Sequence, residues 1–409
     1  MLLQSHYAVK SQCLRSGIDD TDPRHATLGS EAMMHEALRR ANRRAFSDPS
    51  FIEPLKRLLK SYEEEADLSG FGRRAVRFDM MRCLNNLLWL DAAEEDNPAI
   101  LSRVIDRPIF ITELPRSATT FLHSLLSQDP ANAVPYCWQL IYPYRPRAAF
   151  FGIDLRRTQV NLQLRLFHCL SPGLRDLHPL SADTPQECTD ITAQVFQSLR
   201  FDNTHRIPSY QNWLDAHGHR DAFRFHRRFL QHLDTGTPGR RWVLKSPDHV
   251  FSLDAIRAVY PDAQIVFLHR DPLSVVASCS KLSELLRRPF TRHIDRAEIG
   301  HYVSSRLIES AERMVASQSE HILHLHYRQV VSAPMETVDK LYRHCGLALS
   351  REAEQRMQAW LARPRRRPTR TYNLAEFGLD AASLQERFAR YIDTFGVSVE
   401  QSPARAHAA

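Results

Sequence analysis

The stretch that decides the fold reads Ile109-Phe110-Ile111-Thr112-Glu113-Leu114-Pro115-Arg116-Ser117-Ala118-Thr119-Thr120-Phe121-Leu122. Its first four residues favour a short β-strand, and the pattern from Thr119 to Gln128 is typical of a helix. The turn between them consists mostly of small and hydroxyl-bearing residues. Such a turn directs successive backbone N–H groups and the positive end of the helix dipole at one point, so the stretch predicts a binding site for phosphate oxygens. An ordinary strand–helix connection is the alternative interpretation.

This loop resembles the P-loop of nucleotide-binding proteins, with one difference. Thr119 stands where the P-loop pattern has its lysine. Without that lysine, and without a clear acidic residue at a strand end that would hold magnesium, hydrolysis of ATP or GTP is not expected. The loop instead suits a nucleotide whose 5′ group is bound without a metal ion. Ser117, Thr119 and Thr120 would add hydroxyl donors, and Arg116 would add a positive charge.

Outward from this stretch, short apolar runs alternate with helical patterns. The runs that predict strands, each with the helix that follows it, are 242–244 and 250–260, 265–269 and 273–285, and 322–327 and 335–345. Near-continuous apolar strands that alternate with helices indicate a parallel sheet buried between helices on both faces. The predicted fold class is therefore α/β, with a P-loop-like parallel β-sheet flanked by helices.

The same patterns divide the chain into regions. We predict a helical N-terminal region at 1–106, an α/β domain at 107–398 and a disordered tail at 399–409. Residues 150–239 are mostly helical in pattern and rich in histidine, arginine and aromatic residues, so they are predicted to form an insertion that shapes a substrate site. The helices predicted in the N-terminal region are Ser30–Ala45 and Phe51–Ala66, and a third apolar stripe runs from Met80 to Leu88.

Composition places the chain among ordinary globular proteins. Of its 409 residues, 43% are hydrophobic and 25% are charged, which is typical of soluble domains. The excess of basic residues, 54 against 47 acidic ones, favours an anionic ligand but does not indicate nucleic acid. No run approaches the length of about 18 apolar residues that a membrane helix needs. The first residues lack the pattern of a secretory signal.

Cysteine and histidine usage favours a reducing compartment and predicts no metal site. The seven cysteines are scattered, and no two form Cys-x-x-Cys, which favours free thiols over disulfides. The histidine pairs His217/His219 and His324/His326 have no acidic or thiol partner at the spacing of metal ligands. We therefore expect a cytoplasmic protein without a bound metal ion.

Two further charged residues follow predicted strands. Lys245 ends a strand within the run Trp242-Val243-Leu244-Lys245-Ser246-Pro247, and Arg270 follows the next predicted strand. Ser278 lies on the helix predicted after Arg270. Because ligands of parallel sheets bind beyond the carboxyl ends of the strands, we expect Lys245, Arg270 and the loop at 113–120 to converge on one edge.

Taken in order, these motifs resemble the sulfotransferases that use 3′-phosphoadenosine 5′-phosphosulfate (PAPS), in a bacterial-type branch related to the tyrosylprotein and heparan sulfotransferases. The resemblance covers about residues 107–395. It implies transfer of a sulfuryl group from PAPS to a hydroxyl of a small-molecule, lipid or sugar acceptor. Adenosine 3′,5′-bisphosphate (PAP) would be the product, with neither a metal ion nor nucleic acid involved.

The resemblance also implies roles for individual residues. Lys245, in the family's Lys-Ser-Pro motif, would neutralise the oxygen that leaves the sulfuryl group. Arg270 and Ser278 would bind the 3′-phosphate, and Tyr327 would lie near the adenine. The residues implied to bind the 5′-phosphosulfate are Pro115, Arg116, Ser117, Ala118, Thr119 and Thr120.

Three positions depart from the family pattern. Glu113 and Ala118 replace the two glycines of the family's G-x-P-R-S-G-T-T loop. A positive φ at Ala118 would cost about 1 kcal/mol. The carboxylate of Glu113 would repel an anion unless it turns away or pairs with an arginine. Gln139 stands where relatives tend to have a glutamate that is a candidate base, and an amide cannot accept the proton.

The general base is therefore sought elsewhere. Glu187 lies in a segment similar to one that carries Pro-x-Glu ahead of a helix in the family. It is predicted in the first turn of a helix, where it would be either the base or a simple N-terminal charge. His178 and His123, which follows the phosphosulfate loop on its helix, are the other candidates.

The basic segment Arg363–Arg370 contains two prolines. It is interpreted as an exposed loop, as a nuclear or nucleic-acid signal, or as an arginine-rich clamp over a phosphorylated ligand. In the clamp interpretation Arg370 is a residue that binds the cofactor.

Two other functions stay open at this level. The altered loop and Gln139 are compatible with a non-catalytic descendant of a sulfotransferase, which would bind PAP without turnover. A metal-dependent nucleotide kinase is the second alternative, and the missing P-loop lysine disfavours it. No motif indicates the acceptor or the oligomeric state.

Overall fold

A parallel β-sheet runs through the centre of the protein. The structure is a computed structural model that describes residues 28–144, 153–234, 239–364 and 372–400. Its strands are β1 (Ile109–Glu113), β2 (Asn132–Ala133), β3 (Arg241–Lys245), β4 (Gln264–His269) and β5 (Ile322–His326). They are ordered β2-β3-β1-β4-β5, and the neighbouring strands are parallel. The predicted P-loop-like parallel sheet is confirmed, and the short edge strand β2 is an addition that no apolar run predicted.

Helices precede, interrupt and follow the sheet. In chain order they are α1 (Ser30–Ala41), α2 (Ile52–Glu64), α3 (Gly70–Asp96), α4 (Thr119–Leu126), α5 (Cys137–Ile141), α6 (Arg156–Leu170), α7 (Leu174–Leu177), α8 (Thr189–Thr192), α9 (Arg200–Thr204), α10 (Pro208–His217), α11 (Arg220–Leu233), α12 (Leu253–Val259), α13 (Pro272–Arg287), α14 (Arg296–Ala316), α15 (Tyr327–Ser332), α16 (Pro334–His344), α17 (Arg351–Leu361), α18 (Ala381–Arg387) and α19 (Ala389–Phe395). Short 3₁₀ turns lie at Pro98–Ser102, Ala193–Val195, Pro247–Ser252 and Leu374–Phe377. The segment between β2 and β3 is thus mostly helical.

Helix α1 is shorter than the sequence pattern predicts. We expected a helix from Ser30 through Ala45, but α1 ends at Ala41 because Asn42 adopts a left-handed conformation with φ of 52°. The backbone N–H of Asn42 donates to the carbonyl of Arg39. This bond closes the last turn, as left-handed residues commonly do at helix ends.

The two faces of the sheet bury separate apolar cores, because side chains alternate along each strand. Phe110 and Leu244 belong to the core that also contains residues of α2, α3 and α11. Ile111 and Val243 belong to the other core, with residues of α4, α16 and α17. Helices therefore cover both faces, as the apolar strands predict, and the N-terminal helices share a core with one face of the sheet.

The carboxyl ends of the central strands meet at one edge. Ile111 of β1 lies opposite Lys245 of β3 and Val266 of β4. The loop after β1, the end of β3 and the residues after β4 therefore come together, as the parallel arrangement predicts. Across the ranges that the structure describes, no helix has both the length and the apolar character needed to cross a bilayer.

Candidate active site

The carboxyl edge of the sheet opens into a large cleft. Its volume is about 2580 Å³, well above the roughly 300–1,000 Å³ of typical small-ligand pockets. The walls come from the β1–α4 loop, α6, α7, the segment before α8, α13, α14 and the C-terminal residues 372–381 and 400. The cleft therefore has room for a nucleotide together with a second substrate.

The loop between β1 and α4 has the backbone geometry of an anion site. Arg116 and Ala118 have positive φ angles of 70° and 67°, so the chain turns sharply into α4. The first helical hydrogen bond runs from the N–H of Leu122 to the carbonyl of Ala118. The N–H groups of the three residues between them have no acceptor within the helix, which leaves them for an anion. The positive φ expected at Ala118 is present, with its cost of about 1 kcal/mol.

The side chains of this loop do not all face the cleft. Pro115, Arg116 and Thr120 line it. Ser117 is fully buried, and its hydroxyl donates to the carbonyl of Leu114 at 2.6 Å. The Ser117 hydroxyl, which the sequence predicts to bind the ligand, is engaged within the loop in this structure. That hydroxyl closes the loop, and only the backbone N–H of Ser117 is left for a ligand.

Glu113 is buried in the wall of the cleft, with 2% of its surface exposed. Its Oε1 accepts a hydrogen bond from the hydroxyl of Thr119, while Oε2 has no partner within the described part of the chain. Burial raises the pKa of Glu113 to about 7, although the charge of Lys245 and the bond from Thr119 oppose the shift. Glu113 thus pairs with a hydroxyl and not with an arginine. Its repulsion toward an anion is reduced because the carboxyl group is partly protonated near neutral pH.

Lys245 and Glu187 form an ion pair next to the loop. Lys245 is 2% exposed, and its Nζ donates to Oε1 of Glu187 at 2.5 Å and to the hydroxyl of Thr120 at 3.4 Å. Burial opposes ionisation of Glu187, but the charge of Lys245 and its hydrogen bond together outweigh burial and lower the pKa of Glu187. Lys245 is therefore held between the loop and a carboxylate.

Glu187 and His178 lie in the same wall of the cleft. Glu187 precedes Cys188, the N-cap residue of α8, so the expectation that it lies in the first turn of a helix is wrong. Burial lowers the pKa of His178 to about 4, and the nearby charge of Glu187 opposes this shift only in part. At neutral pH, therefore, Glu187 is a carboxylate and His178 is uncharged.

Arg270, at the end of β4, has a partner for each of its nitrogen atoms. Its Nε and Nη2 donate to Oε1 and Oε2 of Glu400 at 2.8 and 2.9 Å, and its Nη1 donates to the backbone carbonyl of Arg116 at 2.7 Å. The guanidinium carbon lies 4.0 Å from the centre of the Tyr327 ring. The Nε of Arg116 donates to the hydroxyl of Ser278 at 3.3 Å. The structure thus brings the two arginines together with Ser278 and Tyr327.

Three residues singled out from the sequence do not reach the cleft or are not described. His123 is fully buried on α4, its Nε2 is hydrogen-bonded to a backbone carbonyl of β3 at 2.9 Å, and burial lowers its pKa to about 3. His123, a candidate base from the sequence, therefore does not reach the cleft in this structure. Gln139 accepts a hydrogen bond from the N–H of Tyr136 at 3.0 Å and caps α5. Arg370 lies outside the described residues.

Sequence reasoning missed three carboxylates of the cleft. Asp202 and Asp248 line it, and burial raises the pKa of each to about 7. Asp248 follows closely after Lys245 at the end of β3, and this position is a signal that could have identified it. Glu400 lies at the start of the predicted disordered tail 399–409, yet it is bound to Arg270 and Asp271, while residues from 401 on lie outside the described part of the chain. No local pattern marks it, since its partner Arg270 lies 130 positions away.

The donor set of the cleft fits a nucleotide that carries two anionic groups. Lys245 and the N-terminus of α4 supply a positive charge and N–H donors, and Arg270 supplies a guanidinium that can bind an anion through two parallel donors. Arg116 lies next to Arg270 and Ser278 and adds a second guanidinium. In the ranges that the structure covers, no group of three or more histidine, cysteine, aspartate or glutamate side chains is placed to hold a metal ion.

Known sulfotransferases resemble this chain over most of its length. Residues 108–351 match the model of the Sulfotransferase family. The crystal structure of sulfotransferase STF1 from Mycobacterium tuberculosis H37Rv is 31% identical, with a TM-score of 0.76 over 89% of this chain and 98% of that chain. Sulfotransferase STF9 from Mycobacterium avium is 27% identical, with a TM-score of 0.81 over 94% of this chain and 100% of that chain. A further relative, omega-hydroxy-beta-dihydromenaquinone-9 sulfotransferase Stf3 from Mycobacterium bovis, is 25% identical over 347 residues, which is 79% of this chain and 84% of that protein.

The chain therefore belongs to the sulfotransferase family. It is an enzyme that moves a sulfuryl group from PAPS to a hydroxyl of an acceptor, as the sequence motifs predict. Membership of this family disfavours the nucleotide kinase.

Proposed function

We propose that this sulfotransferase acts on the hydroxyl of an elongated, largely apolar acceptor, and that Lys245 and Glu187 carry out the chemistry. The observation that supports this assignment most directly is the ion pair between the two side chains. Glu187 lines the cleft, and the buried Lys245 that pairs with it is within hydrogen-bond reach of Thr120 in the loop expected to hold the phosphosulfate. A cation for the leaving group and a base for the acceptor are thus present side by side.

The donor is proposed to lie along the carboxyl edge of the sheet. The N–H groups at the start of α4, together with Arg116 and Thr120, would hold the 5′-phosphosulfate, since helix N-termini and arginine both favour such anions. Arg270 and Ser278 would hold the 3′-phosphate. Tyr327, whose ring packs against Arg270, would lie beside the adenosine. PAPS supplies the activated sulfuryl group, and PAP remains as the product.

Lys245 is proposed to stabilise the oxygen that leaves sulfur. Its ammonium group is buried, so its charge acts more strongly than it would in water. As Lys245 turns toward an anionic oxygen, its bond to Glu187 weakens. Burial then dominates at Glu187, and the pKa of that carboxyl group rises. The same lysine would therefore link binding of the donor to the basicity of Glu187.

Glu187 is proposed to accept the proton of the acceptor hydroxyl. A general base works best when its pKa lies near the working pH, and release from Lys245 moves Glu187 in that direction. His178 is the second candidate because it lies in the same wall and responds to the charge of Glu187. Its pKa of about 4 makes it the weaker base of the two.

The apolar part of the cleft supports a lipid-like acceptor. Leu164 and Phe167 of α6, with Leu174 and Leu177 of α7, contribute apolar surface to its wall. The outer side of α6 exposes three leucines: Leu162, Leu166 and Leu170 are 52%, 51% and 38% exposed. Apolar surface therefore continues along this helix from the cleft to the exterior. The relative from Mycobacterium bovis is named for a hydroxylated dihydromenaquinone, an acceptor of the same chemical class.

A cytoplasmic location is proposed for this reaction. The cysteines in the described part of the chain are free thiols, and free thiols are usual in reducing compartments. Labelling of intact and lysed cells with a membrane-impermeant thiol reagent tests the location, since labelling in intact cells would contradict it.

The substitution Glu187→Gln tests the base. The amide keeps the shape of the carboxylate but cannot accept a proton, so turnover at saturating PAPS should fall by about 10²–10⁴-fold. The affinity for PAP, measured by calorimetry, should stay equal or rise because Lys245 is released. Glu386→Gln, at an exposed position on α18, is the matched control and should keep full turnover. Near-normal turnover in a folded Glu187→Gln protein would eliminate Glu187 and leave His178.

The substitution Lys245→Ala tests the cation. Turnover should fall far more than PAP affinity, because the charge matters most when the leaving oxygen gains its own. Unchanged turnover at saturating donor would show that Lys245 is only structural.

Incubation of the enzyme with radiolabelled PAPS and a panel of long-chain alcohols, phenols and sugars tests the acceptor class. Preferential sulfation of a sugar would contradict the lipid-like class.

A further inference from the structure

The C-terminal segment places a carboxylate on the arginine expected to bind the 3′-phosphate of the donor. Both oxygens of Glu400 accept hydrogen bonds from Arg270, at 2.8 and 2.9 Å. The backbone N–H of Glu400 donates to Oδ2 of Asp271 at 3.1 Å. Glu400 is therefore anchored through both its side chain and its backbone, and it forms part of the wall of the cleft.

Glu400 contacts the edge of the Arg270 guanidinium through which an arginine would also bind a phosphate. Arginine binds carboxylate and phosphate alike through two parallel N–H donors, and in Arg270 the Nε and Nη2 donors point to Glu400. The remaining nitrogen, Nη1, donates to the backbone carbonyl of Arg116, and one face of the guanidinium is covered by the ring of Tyr327. The edge that Glu400 occupies is thus the one left for a phosphate.

Glu400 carries a negative charge in this position. Burial opposes its ionisation, but the hydrogen bonds and charge of Arg270 outweigh burial and lower the pKa of Glu400. A 3′-phosphate is also an anion, so the two groups repel each other and compete for the same N–H donors. They cannot both form the bidentate contact with Arg270.

We infer that Glu400 occupies the 3′-phosphate position of the donor site, and that it must leave Arg270 before PAPS or PAP can bind fully. Glu400 thereby sets the affinity for nucleotides that carry a 3′-phosphate. The inference rests on the assignment of Arg270 under the proposed function.

The part of the chain that must move is short. The segment follows α19, where Gly396 has a φ of 59° and Val397 is 6% exposed and belongs to the core. The N–H of Val397 donates to the carbonyl of Ile392 at 3.0 Å. These contacts hold the chain as far as Val397. Glu400 can therefore leave Arg270 by rotation about the backbone of residues 398–400.

Calorimetric titration with two nucleotides tests the inference. PAP carries the 3′-phosphate, and adenosine 5′-phosphate lacks it. In Glu400→Gln the competing charge is gone, so PAP should bind about 2- to 5-fold tighter, the range expected for loss of one solvent-accessible ion pair, while the affinity for adenosine 5′-phosphate should change much less. Glu386→Gln should change neither affinity. Unchanged or weaker PAP binding by a folded Glu400→Gln protein would overturn the inference.

The variant Arg270→Ala separates this inference from the assignment on which it rests. If Arg270 binds the 3′-phosphate, the substitution weakens PAP binding far more than binding of adenosine 5′-phosphate. In that background a second substitution, Glu400→Gln, should bring no gain for PAP, since its effect acts through Arg270. Equal losses for the two nucleotides in Arg270→Ala would overturn the assignment of Arg270. If Arg270→Ala weakens PAP binding selectively but the single variant Glu400→Gln does not bind PAP more tightly, only the role of Glu400 is overturned.

Discussion

The buried carboxyl group of Glu113 makes the stability of this enzyme depend on pH in a way that can be calculated. Burial raises the pKa of Glu113 from its usual 4.5 to about 7. In the unfolded chain the group loses its proton near pH 4.5, whereas in the folded protein it keeps the proton until about pH 7. The folded state binds more protons in this window, so the free energy of unfolding falls as the pH rises from about 4.5 to 7 and is constant above it.

The size of this loss follows from the pKa. A rise from 4.5 to about 7, at about 1.36 kcal/mol for each pH unit, corresponds to about 3 kcal/mol. The substitution Glu113→Gln removes the titration and keeps an oxygen that can accept the hydrogen bond from Thr119. Since pH 5 already lies above the unfolded pKa, the unfolding free energy of the variant, minus that of the wild type, should increase by about 2 to 3 kcal/mol between pH 5 and pH 8.

Urea unfolding followed by tryptophan fluorescence measures this difference at several pH values. Asp202 and Asp248, whose pKa values are also raised to about 7, titrate in both proteins and cancel in the comparison. Glu386→Gln, at an exposed position, should show a difference that does not change with pH. The reasoning is refuted if the difference for Glu113→Gln varies by less than about 0.5 kcal/mol over this range, or if it grows toward acid pH.

Three other substitutions probe the backbone and the acceptor side. Ala118→Gly should raise the free energy of unfolding by about 1 kcal/mol, because glycine adopts the left-handed φ of 67° without strain; a lower melting temperature would contradict this. Gly300→Ala should destabilise the protein by about 2 kcal/mol or more, because its Cβ would lie 2.2 Å from the backbone oxygen of Phe377, and an unchanged melting temperature would argue against that contact. Phe167→Ala should raise the KM for a long-chain acceptor about 5- to 30-fold with PAP affinity unchanged, since the ring lines the cleft on α6; equal effects on both ligands would place Phe167 at the donor site.

The central fold could be predicted from the sequence because it depends on local patterns. Apolar runs of strand length followed by helical periodicity identified β1, β3, β4 and β5. Since parallel strands bind ligands beyond their carboxyl ends, the same patterns placed the loop at 113–120, Lys245 and Arg270 on one edge. The positive φ of Ala118 was implied by the glycine that the family's loop pattern has at this position. The two residues of β2 carry too short a pattern to be recognised in this way.

Tertiary structure alone decided which side chains of the site face one another. Lys245 pairs with Glu187 across 58 positions of the chain, and Arg270 pairs with Glu400 across 130. The burial of His123 under β3 likewise depends on how α4 packs against the sheet. Local sequence patterns encode which segments form strands and helices, whereas the partner of a buried charge is selected by packing between distant segments. The sequence by itself therefore determined the parallel sheet and the donor loop. Packing of the folded chain determined that Lys245 is paired with Glu187 and that Arg270 is paired with Glu400.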